Sequence, residues 1–309
     1  MNDRAELTQA LDETLGGHWR VRALGLSGFT ATYQAEAADG TRLFIKRGHA
    51  AQKPMLQAEA EGLAALRATQ TVTVPEVIGQ REIGQREIDQ GKTGQGLSAS
   101  GYWLALEWLD LTRPSAAAAR DFGTQLAALH AIPRPQFGWG SANFLGATRQ
   151  ENAWTASDDP AQWWAFFAEI RLGTLAEALA RRGGDSALLS RIEAVRAALV
   201  GCTRPATAAL IHGDLWSGNW AQRADGEPVL FDPAVSVSDP VAELALLTLF
   251  GEPPAAFWSA YRAVHPEPVD FAWRLALYQL YHLLNHVLLF GAGYRSIAVQ
   301  AAERVLQTA

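Results

Sequence analysis

Residues 210–233 constrain the fold more than any other part of the chain. A short apolar run leads into His212-Gly213-Asp214, which predicts a buried strand followed by a loop that carries Asp214. Asn219 then opens a stretch that turns at an Asp-Gly step and returns as an apolar run ending at Asp232. An Asp-Gly step between two strand-like runs is a strong hairpin signal. Pairing across this turn would bring Asn219 beside Asp232, with Asp214 upstream on the same rim.

Two carboxylates and one amide in this order suit phosphoryl transfer. Asp214 can accept the proton of an attacking hydroxyl, while Asn219 and Asp232 hold Mg²⁺ on the nucleotide phosphates. Carboxylate and amide oxygens are the hard ligands that magnesium uses. The alternative is a surface hairpin whose acidic residues are merely solvated. The long spacing and the apolar strands beside both carboxylates disfavour that interpretation.

The segments His-Gly-Asp-Leu-Trp-Ser-Gly-Asn (212–219) and Phe-Asp-Pro-Ala (231–234) resemble the fructosamine kinase, or ketosamine 3-kinase, family. Residues 137–146, 150–154 and 163–172 resemble the same family and are not shared with generic kinases. The resemblance implies an α+β, bilobal protein-kinase-like fold. Its N-terminal lobe would be a small antiparallel β-sheet with one helix, and its C-terminal lobe would be mainly helical.

The resemblance also implies a division of labour along the chain. We expect residues 1–109 to form the nucleotide-binding lobe and residues 110–309 to carry the catalytic loop and the acceptor site. Within residues 79–101 a Gly-Gln-Arg-Glu-Ile repeat is followed by a Gly/Gln/Ser-rich tail, which predicts a flexible insertion or an elongated hairpin. Glu107, Trp108 and Leu109 should form the hinge, whose backbone meets the adenine edge in kinase-like folds.

A glycine-bearing turn with Ser27 and Gly28 lies between two strand-like runs in the first lobe. Exposed backbone amides in such a turn attract anions, so the turn can lie over ATP phosphates. This signal is weak by itself, because any hairpin turn can carry glycines. The family usually has adjacent glycines there, often followed by Cys or Ser, and this chain departs from that pattern.

Lys46 ends an apolar strand, the position of the lysine that holds the α- and β-phosphates in kinases. A helix is predicted from about Pro54, and Glu59 lies partly on its apolar face. A buried carboxylate is costly without a partner. We therefore predict that Glu59 pairs with Lys46; the alternative is that Glu59 reaches solvent, like Glu61.

Composition excludes several classes of protein. A net charge of −6 over 309 residues argues against a general nucleic-acid binder. The single cysteine, Cys202, cannot form an internal disulfide, and the charged N-terminus lacks a secretion signal, so we expect a cytoplasmic protein. The apolar stretch 275–290 is interrupted by polar residues and predicts a buried helix rather than a membrane span. We expect a monomer.

Two further residue sets have competing interpretations. Trp216 could stack on a sugar ring or fill the core behind the loop. His282 and His286 are four residues apart and could bind metal, but a core histidine pair is the better interpretation. Glu243 is expected to brace the catalytic loop. Residues 235–240 depart from the family pattern, which leaves acceptor preference open.

The resemblance implies an ATP- and Mg²⁺-dependent kinase acting on the O3 hydroxyl of ketosamines such as fructosamine, ribulosamine or erythrulosamine. The acceptor could be free or attached to a protein lysine, and the activity would be deglycation repair. An aminoglycoside- or choline-type phosphotransferase would share every catalytic residue named above. A pseudokinase binding module would lack a metal ligand or the strand lysine, and this chain has both.

Overall fold

The computed structural model describes residues 3–83 and 101–307. The chain divides into two compact units, one formed by Met1–Ala64 and Val74–Asp110 and the other by Ala65–Thr73 and Leu111–Ala309. None of the described helices has the length and apolar character that crossing a lipid bilayer requires.

The first unit is built on a five-stranded antiparallel sheet in the order β1-β2-β3-β5-β4. A helix precedes this sheet, and a second helix follows β3. The elements are α1 (Asp3–Leu15), β1 (Trp19–Ser27), β2 (Thr30–Ala37), β3 (Arg42–His49), α2 (Lys53–Ala68), β4 (Val77–Ile83) and β5 (Gly101–Glu107).

The core of the first unit forms between α1 and one face of the sheet. Leu7 and Leu11 are fully buried against a cluster that includes Ile45 and Trp103, which are also fully buried. This is the amphipathic face that the leucine spacing of the N-terminal residues predicts. At the end of the hairpin, Ser27 pairs with Thr30 across a tight turn.

The second unit is mainly helical, with short strands that carry the catalytic-loop sequence. Its helices are α3 (Ala116–His130), α4 (Pro160–Phe166), a π-helical segment (Phe167–Gly173), α5 (Thr174–Arg181), α6 (Ser186–Leu199), α7 (Pro240–Leu249), α8 (Ala255–Arg262), α9 (Phe271–Phe290) and α10 (Arg295–Gln307). Its strands are β6 (Leu111–Thr112), β7 (Asn143–Leu145), β8 (Thr148–Gln150), β9 (Ala209–Ile211), β10 (Trp220–Arg223), β11 (Pro228–Leu230) and β12 (Ser236–Ser238).

Large aromatic side chains fill the core of the second unit. Trp163 and Trp164 are 1% and 0% exposed and pack against Tyr278 of α9. Their indole N–H groups are satisfied: Trp163 Nε1 donates to the Tyr278 hydroxyl and Trp164 Nε1 to the carbonyl of Arg204, each at 2.8 Å. A buried indole N–H usually finds such a partner. The stretch 275–290 lies within α9, as its apolar pattern predicts.

Between α2 and β5 lie a proline and the first copy of the five-residue repeat. Residues 72–75 have the β-branched composition of a strand, but β4 begins at Val77. Pro75 has no N–H to donate to a ladder, and the carbonyl of Thr73 accepts from Leu230 N at 2.9 Å instead. The first copy of the five-residue repeat, 79–83, lies in β4, paired with β5. The rest of the predicted insertion, 84–100, lies outside the described residues.

The histidine pair of α9 is part of the packed interior. His282 is 6% exposed, and His286 Nδ1 donates to the carbonyl of His282 at 2.7 Å. Burial lowers the pKa of His282 to about 3, with smaller lowering effects from His286 and Arg171. His282 is therefore neutral in the folded protein at physiological pH.

The lowered pKa of His282 predicts acid sensitivity. The unfolded chain takes up a proton at this histidine below its ordinary pKa of about 6.5, whereas the folded chain does not until pH approaches the lowered value. Stability is therefore lost as pH falls below about 6.5. At pH 5 this one group lowers the unfolding free energy by about 2 kcal/mol relative to neutral pH. Urea unfolding at pH 7 and pH 5 should show a smaller pH effect in His282→Gln than in the wild type.

His18 provides the matched control, because its side chain is 98% exposed. His18→Gln should leave the pH dependence unchanged. An undiminished pH effect in His282→Gln would contradict the burial argument.

Candidate active site

The loop that carries Asp214 begins where β9 ends. β9 is entirely buried and pairs antiparallel with β12, so that Ile211 lies opposite Ser236. His212 is fully buried. Its Nδ1 accepts from Asp214 N at 3.3 Å, so its Nε2 carries the proton and donates to the carbonyl of Phe231 at 3.0 Å. Burial lowers the pKa of His212, which favours this neutral form with a hydrogen bond at each ring nitrogen.

Glu243 of α7 holds the same loop from behind. Its carboxylate accepts the backbone N–H groups of His212 and of Gly213, the second at 3.1 Å, and its side chain is fully buried. His130 of α3 lies behind it, with Nε2 at 3.8 Å from Glu243 Oε2 and Nδ1 bonded to the Tyr261 hydroxyl at 2.8 Å. These contacts agree with the bracing role predicted for Glu243 and a structural role for His130.

The predicted hairpin is formed by β10 and β11, with Trp220 opposite Leu230. Phe231 N donates to Asn219 O at 3.1 Å, which continues the pairing up to Asp232. Asn219 Nδ2 donates to the backbone carbonyl of Asp214 at 2.7 Å and lies 3.4 Å from Asp214 Oδ2. The structure thus brings Asp214, Asn219 and the residue before Asp232 into one hydrogen-bonded group.

The orientation of Asn219 suits a cation ligand. Its amide nitrogen is held by the carbonyl of Asp214, which assigns the other amide atom as oxygen. An amide oxygen and a carboxylate oxygen, the groups that Asn219 and Asp232 carry, are of the type that Mg²⁺ prefers. Asp232 has a backbone φ of 60°, a left-handed conformation uncommon for a residue with a side chain.

Trp216 lies in the loop between Asp214 and Asn219. Its side chain is 40% exposed, so it does not fill the core as the alternative interpretation supposed. The indole ring packs over Gly218, where an added Cβ would lie 2.4 Å from the ring carbons. Glycine at this position therefore allows the ring to lie flat against the loop.

In the first unit, Lys46 and Glu59 form the predicted ion pair. Lys46 Nζ lies 2.8 Å from Glu59 Oε1, and the two side chains are only 5% and 10% exposed. The pair joins β3 to α2, which places a buried cation on the sheet. Ser27 ends β1, and Gly28 follows in the turn with a φ of 55°.

The predicted hinge residues begin at Glu107, the last residue of β5. Glu107 N donates to the carbonyl of Glu76 at 2.9 Å, and Trp108 Nε1 donates to Asp110 Oδ1 at 3.0 Å. The guanidinium of Arg42 lies 5.3 Å from the Trp108 ring centre. Leu109 is the next residue along this connection.

A second polar group in the C-terminal unit was missed by the sequence analysis. Asn143, Gln150 and Tyr281 are buried and bonded to one another, and Arg171 lies beside them at 4% exposure. The signal that could have indicated them is the set of polar side chains inside segments that otherwise read as apolar core.

Comparison with known proteins assigns the chain to a family. The fructosamine kinase family model matches residues 17–308. The chain belongs to the fructosamine kinase family. A Synechocystis protein assigned as a ketoamine kinase is 39% identical over 304 residues, which cover 97% of this chain and 96% of that protein.

Solved structures agree with this membership. A Thermobifida fusca protein assigned as a fructosamine-3-kinase superposes with a TM-score of 0.81 at 32% identity, covering 97% of this chain and 98% of that one. An aminoglycoside-3′-phosphotransferase of type VIII gives a TM-score of 0.55 at 20% identity over 90% of this chain and 97% of that chain, which shows a common fold alone. The α+β, protein-kinase-like fold predicted from the sequence is confirmed.

The contact between Gly213 and Ala234 predicts a sharp structural requirement. Gly213 has a φ of 83°, and a Cβ there would lie 2.0 Å from the carbonyl oxygen of Ala234. Gly213→Ala should therefore lower the unfolding free energy by about 2–4 kcal/mol, from backbone strain and steric overlap together. Amide hydrogen exchange should show lost protection at Ala234 N, which donates to the carbonyl of His212 at 2.8 Å.

Gly226 is the matched control, because its φ of 99° imposes the same kind of strain. Its added Cβ meets only the side chain of Gln222, at 3.9 Å. Gly226→Ala should thus cost about 1 kcal/mol and leave Ala234 protected. Equal effects of the two substitutions would refute the importance of the Gly213 contact.

Proposed function

We propose that this protein is an ATP-dependent kinase that transfers the γ-phosphoryl group to the O3 hydroxyl of ketosamines. The observation that carries the proposal is the hydrogen-bonded group of Asp214, Asn219 and the β10–β11 hairpin ending at Asp232, found in a member of the fructosamine kinase family. Phosphorylation at O3 makes the sugar adduct labile, so the role is deglycation of amines, whether free or on protein lysines.

Asp214 is the proposed general base. Its loop is fixed by Glu243 and by the carboxamide of Asn219, which holds the backbone carbonyl of Asp214. A carboxylate held in this way accepts the proton as the acceptor oxygen attacks phosphorus. Trp216 provides an exposed indole face that can pack against the apolar C–H side of the sugar.

Asn219 and Asp232 are the proposed ligands of Mg²⁺. Their oxygens would hold the divalent cation, which when bound there would neutralise negative charge on the β- and γ-phosphates. Asp214 remains the residue that handles the proton, and the hairpin determines where the cation ligands lie relative to it.

In the first unit we assign the nucleotide phosphates to Lys46, with Glu59 orienting its ammonium group. A buried lysine ammonium held at 2.8 Å by a buried carboxylate has a fixed direction. Ser27 and Gly28 are assigned to the phosphates through backbone amides, and the backbone of Glu107, Trp108 and Leu109 to the adenine. Residues 1–109 thus form the proposed nucleotide-binding lobe, and residues 110–309 the acceptor lobe.

The decisive experiment is a coupled assay of ATP consumption with fructosamine, ribulosamine, erythrulosamine and an aminoglycoside as acceptors. The wild type should phosphorylate ketosamines at O3, and Asp214→Asn should lower kcat by about 10²–10⁴-fold because the general base is lost. Phosphate found only on the aminoglycoside would end the ketosamine proposal.

Asp225→Asn is the matched control for this experiment. Asp225 lies in the turn of the same hairpin and pairs with Arg223, and its side chain is 58% exposed. The substitution removes a carboxylate from the hairpin without touching the proposed base, so kcat should stay within about twofold of the wild type, as is usual for exposed positions.

A further inference from the structure

A chain of buried polar side chains links α9 to the backbone near Asp232. Tyr281 donates its hydroxyl proton to Gln150 Oε1 at 2.6 Å, and Gln150 Nε2 donates to Asn143 Oδ1 at 2.8 Å. Asn143 Nδ2 then donates to the carbonyl of Val235 at 2.6 Å. Exposure of the three side chains is 7%, 6% and 3%. The chain therefore runs without a break from α9, through β8 and β7, to the segment that follows Asp232.

The direction of every hydrogen bond in this chain is fixed by its last member. A backbone carbonyl can only accept, so Asn143 must present its amide nitrogen to Val235 and its oxygen to Gln150. Gln150 must then present its own oxygen to Tyr281, whose hydroxyl must donate. Burial raises the pKa of Tyr281 to about 12, with Arg171 lowering it and Asp214 raising it, so the hydroxyl keeps its proton.

Arg171 holds the residues that follow β8 in the β7–β8 hairpin. Its guanidinium lies 6.0 Å from the Tyr281 ring centre and donates to the carbonyl of Glu151 at 2.6 Å and to the side chain of Asn152. The carboxylate of Glu151 pairs instead with Arg149 at 2.7 Å. Arg171 lies in the π-helical segment Phe167–Gly173, and such segments occur frequently at functional sites.

The Val235 end of this series of hydrogen bonds adjoins the loop that carries Asp214. Val235 follows Ala234, whose N–H donates to the carbonyl of His212 at 2.8 Å. The carbonyl of Ala234 is the group against which Gly213 packs, with 2.0 Å to an added Cβ. Displacement of Val235 would therefore shift the contact that joins the Asp214 loop to the segment after Asp232.

We propose that Tyr281, Gln150 and Asn143 form a positioning network that sets the placement of Asp232 relative to Asp214 by holding the carbonyl of Val235. The inference rests on the proposed roles of those two aspartates and adds three residues that act through the backbone rather than on substrate. A fully satisfied buried chain can specify one arrangement more tightly than apolar packing does. Phosphoryl transfer depends on the alignment of the reacting groups. Loss of the network should therefore lower kcat strongly while weakening substrate binding little.

The test compares two tyrosines of α9. Tyr281→Phe breaks the chain, and kcat should fall about 10- to 100-fold, the range expected for a small misplacement, with both KM values within about threefold. Tyr278→Phe removes another buried hydroxyl, one that lies 2.8 Å from Trp163 Nε1 and 3.2 Å from Asp239 Oδ2. This control should lower the melting temperature but keep kcat. Equal kcat losses in the two variants would overturn the proposal.

A second variant at the opposite end keeps the test secure if Tyr281→Phe folds poorly. Asn143→Leu keeps the branched shape and the number of heavy atoms but removes the bond to Val235, so it should lower kcat to a similar extent. The double variant should lose no more than the larger single loss, because both changes break one chain. Additive losses, or changes confined to the acceptor KM, would refute a network acting on the two aspartates.

These assays separate the network from the identity of the acceptor. The constants are measured with whichever alcohol the wild type phosphorylates, and slow ATP hydrolysis without acceptor is followed in parallel. If the wild type rejects ketosamines, the proposed function fails while the comparison of Tyr281→Phe with Tyr278→Phe still decides on the network.

Discussion

The loop that carries Asp214, the proposed general base, depends on one buried carboxylate, that of Glu243. β9 ends at Ile211, so the amides of His212 and Gly213 lie beyond the strand ladder, and both donate to this carboxylate. Charge-assisted bonds of this kind are about twice as strong as neutral ones, and a buried amide deprived of its acceptor costs about 1–3 kcal/mol. The position of Asp214 is therefore determined from α7, an element that follows both aspartates in the chain.

A second constraint acts on the backbone at both aspartates. Gly213 and Asp232 have φ values of 83° and 60°, so the chain reverses just before one carboxylate and at the other. Asp232 has a side chain, so its conformation costs about 1–3 kcal/mol and must be held by neighbouring bonds. Phe231 N bonds to Asn219 O on one side, and Ala234 N to His212 O on the other. These bonds thus hold the backbone conformation of Asp232.

The sequence predicts those parts of the site that local patterns encode. The Asp-Gly turn and the flanking apolar runs predict the β10–β11 hairpin, and a carboxylate on an apolar helix face predicts the pairing of Glu59 with Lys46. For the hairpin, the short spacing between the two runs leaves only one strand to pair with. For Glu59, the cost of an unpaired buried charge leaves Lys46 as the partner. Glu243 was predicted as a brace only through the family resemblance, since nothing in its own neighbourhood indicates which amides it accepts.

Bonds between distant segments escaped prediction for a physical reason. Tyr281 and Gln150 lie 131 residues apart. Each appears in the sequence as one polar group within a hydrophobic segment. Such a group must find a partner when buried, but the sequence does not say which one. The start of β4 depends in the same way on a distant partner, because the carbonyl of Thr73 accepts from Leu230 N of β11.

The segment 235–240, which the resemblance marks as a departure from the family pattern, is held mainly through backbone groups. Ser236 and Ser238 pair with β9 through backbone groups, and their hydroxyls bond to each other at 2.9 Å. Backbone pairing is nearly independent of side-chain identity, so β12 can keep the two aspartates in place with these residues. Asp239 then accepts from Val241 N at 3.0 Å and starts α7, one turn before Glu243. The departure therefore preserves both the strand that aligns the aspartates and the helix that braces their loop.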